Sequence, residues 1–467
     1  MSFIASPLLG RMNVFQRLMY QWSELYPYNA VHVYRIAGAL DRRGLLASIA
    51  RVYRDNGLGA VEVAADGQSY QYEREEFPEL EILDGGDDPQ QQMLAHVAAE
   101  INRPFSRPRC QPMRFSAVSD GPKTFYLVLA YDHWTADSVA ARLVVQQLLR
   151  SYFGLGERGE SRPLQLYPGT YRKVFAQRLG PVRLAAAATR LLGDAIRNRR
   201  ARQVAYSAAT QMAVNFEQFA TAPGTVGRLR EFAARAGATV NDVIQAALAR
   251  ALSPVLPRRA KGRGSQDLAI GNIVNVRGDA AGDLSHALGA FLSYYSVRCC
   301  PDENGDLAAL ARQVAHTTGP IKARHGYLDA VVNMQLASRL WPHFSTAAKP
   351  RFMKRAIPLT AGVSNVYIRD VLLDRELDRR ILGYFRAAST GPILPLVITP
   401  TTVNGQMSVG ITYRQTGFPR AKIDRVMEAF LTEIQYPGES PRRSSGVDRA
   451  PLAQPALSDA PVPAEAA

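Results

Sequence analysis

The chain has 467 residues, a formal net charge of +15, 47% hydrophobic and 21% charged residues. That length exceeds one ordinary core and that balance excludes a largely disordered chain, so two domains or one two-lobed unit is expected. No run of 18 uninterrupted apolar residues predicts a membrane span, and three cysteines (Cys110, Cys299 and Cys300) exclude a disulfide framework and fit a reducing compartment.

No Cys/His spacing suits zinc, so no metal is expected. The N-terminus lacks a basic run followed by an apolar core, so a cytoplasmic protein is expected. The positive charge calls for an acidic partner: a carrier protein, the phosphates of coenzyme A or an anionic membrane face met peripherally. No helix-turn-helix, zinc-finger or aromatic-basic RNA motif stands out, so nucleic acid is not the expected partner.

In chain order, residues 14–26 read as a helix and Ala30–Ile36 as an alternating strand. An amphipathic helix over Leu40–Tyr53 follows, with Leu40, Leu45, Ile49 and Val52 on roughly one side; another lies around Gln91–Ile101. Thr124–Ala130 is β-branched, aromatic and apolar, a buried strand that runs into Tyr131-Asp132-His133. Ser138–Tyr152 has helical periodicity.

Residues 172–202 carry Arg183, Arg190, Arg197, Arg199, Arg200 and Arg202 among nine basic residues, against one acid, Asp194. They read as a basic helical crossover, either a solvated face or a docking surface. Thr239-Val240-Asn241-Asp242 resembles a capped helix start. Leu268–Arg277 reads as a strand whose alternation puts Ala269, Gly271, Ile273, Asn275 and Arg277 on one face. A long helix covers about Leu307–Leu340. Leu396–Val403, Asn404-Gly405 and Gln406–Arg414 form a hairpin signal, with Pro400 suggesting an edge or a bulge, and Ile423–Ile434 closes the chain as a helix. The expected division is a first lobe over 1–171, a crossover over 172–209, a second lobe over 210–436 and a disordered tail over 437–467.

Gly154 to Gly159 match GxGxxG, but the match follows a helix and leads into Pro-containing coil, the wrong context for a dinucleotide loop. HxxxD occurs twice. His325 to Asp329 falls inside a helical pattern, where the two merely share a surface face. His133 to Asp137 stands where a buried strand ends and a helix begins, a place that presents a side chain into a cleft. The plainer reading makes Asp137 a helix N-cap and His133 a strand-end residue. The chemical reading uses a histidine with an ordinary pKa near 6.5 to take a proton from a hydroxyl or amine as it attacks a thioester carbonyl.

With these residues the sequence resembles the HxxxD acyltransferase superfamily, which includes nonribosomal-peptide condensation domains and polyketide-associated acyltransferases. Asp132-His133-Trp134-Thr135-Ala136-Asp137-Ser138 is similar to the condensation motif HHxxxDG in its second His and its Asp. Tyr28-Asn29 with Arg35–Leu40, Thr239 to Asp242, Asn275-Val276-Arg277 and Gly362 to Val366 resemble further family elements in order. Asp132 replaces the first His, Ser138 replaces the Gly, and the plant-type DFGWG is absent.

The resemblance implies an α/β fold of two chloramphenicol-acetyltransferase-like lobes forming a V with an active-site tunnel between them. It implies an acyltransferase with His133 as general base and Asp137 and Arg277 structural at the site. Trp134, Asn275, Ser364 and Asn365 are tunnel candidates. The donor would be acyl-CoA or a phosphopantetheinyl thioester on an acyl or peptidyl carrier protein acting in trans, with a small-molecule acceptor and no bound cofactor. Arg183, Arg190, Arg197, Arg199, Arg200 and Arg202 are candidates for docking that carrier. An uncompensated buried arginine is costly, so Arg277 is expected to pair with Asp137; the alternative leaves Asp137 a cap and Arg277 in solvent. Two competing functions are a non-catalytic condensation-like module that docks a carrier protein, and a basic binder of nucleic acid or membrane surface.

Overall fold

The structure is a computed structural model that describes residues 8–73, 76–155, 163–166, 171–175, 178–208, 211–260, 265–302, 305–368, 371–372, 374–391 and 393–438. All but the first two residues of the tail expected over 437–467, and all but the start of the GxGxxG match, lie outside the described residues.

Two mixed sheets, each flanked by helices, form the two lobes. The first orders its strands Ile381–Ala388, Asn29–Ala37, Thr124–Asp132, Met113–Ser119 and Leu80–Leu83. Thr124–Asp132 is central, and its residues 125–131 are all apolar or aromatic because both faces are covered. Phe125, Leu127, Leu129 and Tyr131 enter the main core, which includes Leu45, Ile49 and Leu143 to Val145. Tyr126, Val128 and Ala130 enter a second cluster, with Met93, Val97 and Ile101 of the helix Pro89–Asn102.

The second sheet runs Val214–Ala220, Gln406–Arg414, Leu396–Val403, Ala361–Val363, Leu268–Asn275 and Leu292–Cys299, with Val366–Ile368 also pairing Leu396–Val403. The lobes exchange material. Strand Ile381–Ala388, from the chain's second half, pairs along Asn29–Ala37 of the first sheet. The division at residue 210 therefore does not separate the two sheets cleanly.

Most expected elements are present. Asp137 caps Ser138–Tyr152, and Thr239 and Asp242 form the reciprocal cap of Val240–Leu252. Asn404 at φ 49° and Gly405 at φ 78° turn the hairpin Leu396–Arg414.

Three expectations need correction. Pro400 is not on an edge: its strand is paired on both sides. It falls between the pairings Val363–Ile398 and Val366–Thr401, where the ladder is interrupted and a missing N–H costs least. The long helix breaks into Leu307–Ala323 and Ala330–Leu340, with His325 left-handed at φ 51°. The strand from Leu268 ends at Asn275, and Arg277 opens a short 3-10 turn.

Candidate active site

His133 leaves the central strand of the first sheet at its C-terminal end. Its backbone N–H donates to Tyr28 O at 3.1 Å, and its ring stacks on the Tyr28 ring with centroids 5.7 Å apart and planes 19° apart. Nδ1 lies 3.1 Å from Ala136 O. A carbonyl only accepts, so in the neutral imidazole Nδ1 carries the proton and Nε2 keeps the lone pair. Burial pushes the His133 pKa below its ordinary 6.5, which keeps the ring a free base at neutral pH.

Asp137 aims the turn. Oδ1 accepts from Val139 N and Ala140 N, capping the helix, and also from Arg277 Nη2 at 2.9 Å. Oδ2 accepts from Arg277 Nε at 3.0 Å and from Phe291 N at 3.0 Å. The remaining Arg277 bonds go to Leu284 O, Ala287 O and Gly289 O. Cap and ion pair are thus combined in one carboxylate rather than being alternatives.

Asp132, at the position of the family's first His, is buried. Its Oδ2 accepts from the Trp134 indole at 2.9 Å and from Arg107 Nη2 at 2.8 Å. Trp134 is therefore not a tunnel residue. It is fully buried between the edges of Tyr20 and Tyr70, because its indole N–H finds its acceptor inward. Gln16 Nε2 donates to Trp134 O at 3.0 Å, and Asn13 Nδ2 to Ala290 O at 2.8 Å. The helix Val14–Trp22 so braces the His133 turn against the second lobe.

A cleft of about 400 Å³ opens beside His133 between the lobes. Asn275, Ser364 and Asn365 line it, as expected for three of the four tunnel candidates. The second-lobe wall carries a chain of amides: Asn365 Nδ2 to Asn241 Oδ1 at 3.3 Å, Asn241 Nδ2 to Asn272 Oδ1 at 3.4 Å and Asn272 Nδ2 to Gln245 Oε1 at 2.8 Å.

The sequence reading missed His32, Arg142 and Arg386, which line the same cleft. Alternation along Ala30–Ile36 placed His32 on one strand face, but nothing local told which face meets the cleft. It also missed Phe291 and Gly289, which act through backbone groups and leave no side-chain signature.

The docking candidates separate. Arg202 is buried, donating to Ser253 Oγ and the carbonyls of Ser253, Leu256 and Pro257, so it is a structural residue and not part of a surface. Arg190 is tied to buried Asp329 at 2.8 Å. Arg197, Arg199 and Arg200 are exposed at the end of the helix Pro181–Arg200. The side chain of Arg183 lies outside the described residues. At the second HxxxD the helix breaks: His325 Nδ1 meets Asp279 at 2.6 Å, and Asp329 is held by Arg190. Among the described residues no group of His, Cys, Asp and Glu could hold a metal ion, and no helix is long and apolar enough to cross a membrane.

The Condensation domain profile matches residues 11–331, more than half of the chain. The chain belongs to the condensation-domain family. No curated protein matches it in sequence. Solved structures share the fold of this condensation domain at low identity. The first condensation domain of the calcium-dependent antibiotic synthetase, in complex with a substrate analogue, is 15% identical over 93% of this chain and 98% of its own, with TM-score 0.67. The cyclization-docking bidomain of EpoB from Sorangium cellulosum is 14% identical over 93% and 85%, with TM-score 0.64. A mutant starter condensation domain of rhizomide synthetase, in complex with C8-CoA and Leu-SNAC, is 16% identical over 91% and 94%, with TM-score 0.65.

Proposed function

We propose that this condensation domain is an acyltransferase that moves an acyl group from a thioester to a hydroxyl or amine acceptor, with His133 as general base. The observation that carries the reading is the His133 ring itself. Its Nδ1 is committed to Ala136 O, its pKa is held down by burial, and it borders a cleft open between two lobes. In the reaction Nε2 would take the acceptor proton as the acceptor attacks the thioester carbonyl. The new C–O or C–N bond forms, the C–S bond breaks, and the proton returns to the leaving sulfur.

Asp137 and Arg277 hold the ring in place and would not touch substrate. The donor would be acyl-CoA or an acyl group on a carrier-protein pantetheine arm. A carrier would meet the exposed Arg197, Arg199 and Arg200, which suits acidic partners. The rhizomide synthetase relative, in complex with C8-CoA and Leu-SNAC, supports thioesters as the substrate class, an acyl-CoA among them.

The test is thioester consumption by the pure protein, comparing acyl-CoA with carrier-bound acyl groups and a panel of amine and alcohol acceptors, with product mass as readout. Acceptor-dependent release of free thiol and an acyl-acceptor product support the reading. Carrier binding without any turnover supports the non-catalytic docking module instead.

A further inference from the structure

The floor of the cleft beyond His133 carries two guanidinium groups. Arg386 lies on the strand Ile381–Ala388 that the second half of the chain lends to the first sheet, and it is 5% exposed. Its bonds go to neutral oxygens: Nε to Thr401 Oγ1 at 3.2 Å and Nη2 to Ser364 O at 2.7 Å. Arg142 stands one turn into the helix that Asp137 caps. Its Nε donates to Ser138 O at 3.2 Å and its Nη1 to Val371 O at 3.1 Å. A guanidinium has five N–H groups, so among the described residues each of these arginines leaves several without a protein acceptor. Among the described residues neither is paired with a carboxylate.

Arg277, Arg107, Arg114 and Arg150 all hold carboxylates. Arg202 is wrapped by three carbonyls and a hydroxyl. Arg142 and Arg386 are the pair that faces space large enough for a ligand.

Among the described residues the one carboxylate lining this cleft is Asp137, which is held by Arg277. His32 sits among the hydroxyls of Tyr131 at 3.2 Å, Tyr384 at 3.2 Å and Tyr34 at 3.4 Å. Burial, Arg386 and Arg142 hold its pKa well below 6.5, so it is neutral. Burial also pushes the tyrosine hydroxyls well up or up, so they too are neutral. Ser138 Oγ, on the same helix face as Arg142, is buried beside the Tyr384 hydroxyl without a well-formed hydrogen bond.

We infer that Arg142 and Arg386, with the Ser138 hydroxyl, form a subsite for a carboxylate carried by one of the two substrates. Two cations left in a site of low dielectric need an anion, and a carboxylate accepts from planar guanidinium groups with good geometry. The carboxylate would be the far end of the acyl chain or the free acid of the acceptor. The inference rests on the cleft being the substrate cleft, but its test needs no turnover, so it can fail while the acyltransferase reading stands.

The test is calorimetric titration of the full chain with matched probes: hexanoate against hexanamide for an acyl-type tail, leucine against leucinamide for an acceptor, and inorganic phosphate. The expected result is a preference of about tenfold or more for the acid in at least one pair, and the pair showing it identifies the substrate. Arg142→Gln and Arg386→Gln should each remove that preference and leave amide binding unchanged, while His133→Ala keeps it. Should Arg386→Gln fail to fold, Arg142→Gln decides, because that side chain is only half-buried. Absence of acid binding at millimolar concentration, equal binding of acid and amide, a preference that survives in Arg142→Gln, or phosphate displacing hexanoate would overturn the inference.

Discussion

Arg277 grips both oxygens of Asp137, Nη2 to Oδ1 at 2.9 Å and Nε to Oδ2 at 3.0 Å, across 140 residues of sequence. The pair is buried, and it ties the turn that carries His133 to the loop Gly289–Phe291. Removing one partner strands a charge, so Asp137→Ala and Arg277→Ala should each cost about 3–5 kcal/mol. The double variant should cost much less than their sum. A denaturation cycle over the four proteins measures the coupling. Independent, additive losses of about 1 kcal/mol at Asp137 would mean that the cap alone matters.

Trp134 belongs to the core. Trp134→Ala should destabilise the fold by about 3–5 kcal/mol, as expected for a large buried aromatic. Trp134→Phe should cost less and leave the substrate KM unchanged, since the ring does not line the cleft. A changed KM with unchanged stability would put the indole in contact with substrate.

Two histidines set pH dependence in the same direction. His133 has a pKa below 6.5, so the acid limb of kcat/KM should lie below pH 6.5, with full activity at pH 7. His32 is buried with a pKa well below 6.5. Its unfolded form binds a proton that its folded form refuses. Its contribution to stability is therefore complete above the unfolded pKa and is lost as pH falls below it, by up to about 1.4 kcal/mol per pH unit. Urea titrations from pH 7.5 to 5 measure that slope, and His32→Phe should flatten it.

Charge reversal at Arg197, Arg199 and Arg200 together should slow association with an acidic carrier protein and flatten its salt dependence. Stopped-flow binding at two ionic strengths reads this. Arg202→Glu is the contrasting case: its side chain is buried, so it should lower stability rather than association rate.

Much of the first lobe was legible because its signals are local. Residues 125–131 form an unbroken apolar and aromatic run and Ser138–Tyr152 is periodic behind an Asp cap, while in the second lobe Asn404-Gly405 marks its own turn. The pairing of Asp137 with Arg277 was also within reach, although the alternation that suggested it fails: the strand ends two residues earlier. What the sequence hid is contact at long range. Nothing near Arg386 says that its strand crosses to the other lobe, and nothing near Arg202 says that it is wrapped by the carbonyls of residues 253 to 257. The break at His325 escaped because Leu307–Leu340 keeps a helical pattern through a left-handed residue.

The role of His133 is tested most directly by single-turnover transfer with a working thioester and acceptor, comparing the unchanged chain with His133→Ala and His325→Ala, each checked for folding by circular dichroism. His133→Ala should transfer about 10²-fold more slowly or worse with its fold intact. His325→Ala, whose histidine pairs with Asp279 away from the cleft, should remain close to the unchanged chain. A folded His133→Ala protein that still transfers the acyl group at a near-normal rate would contradict the assignment of His133 as the base.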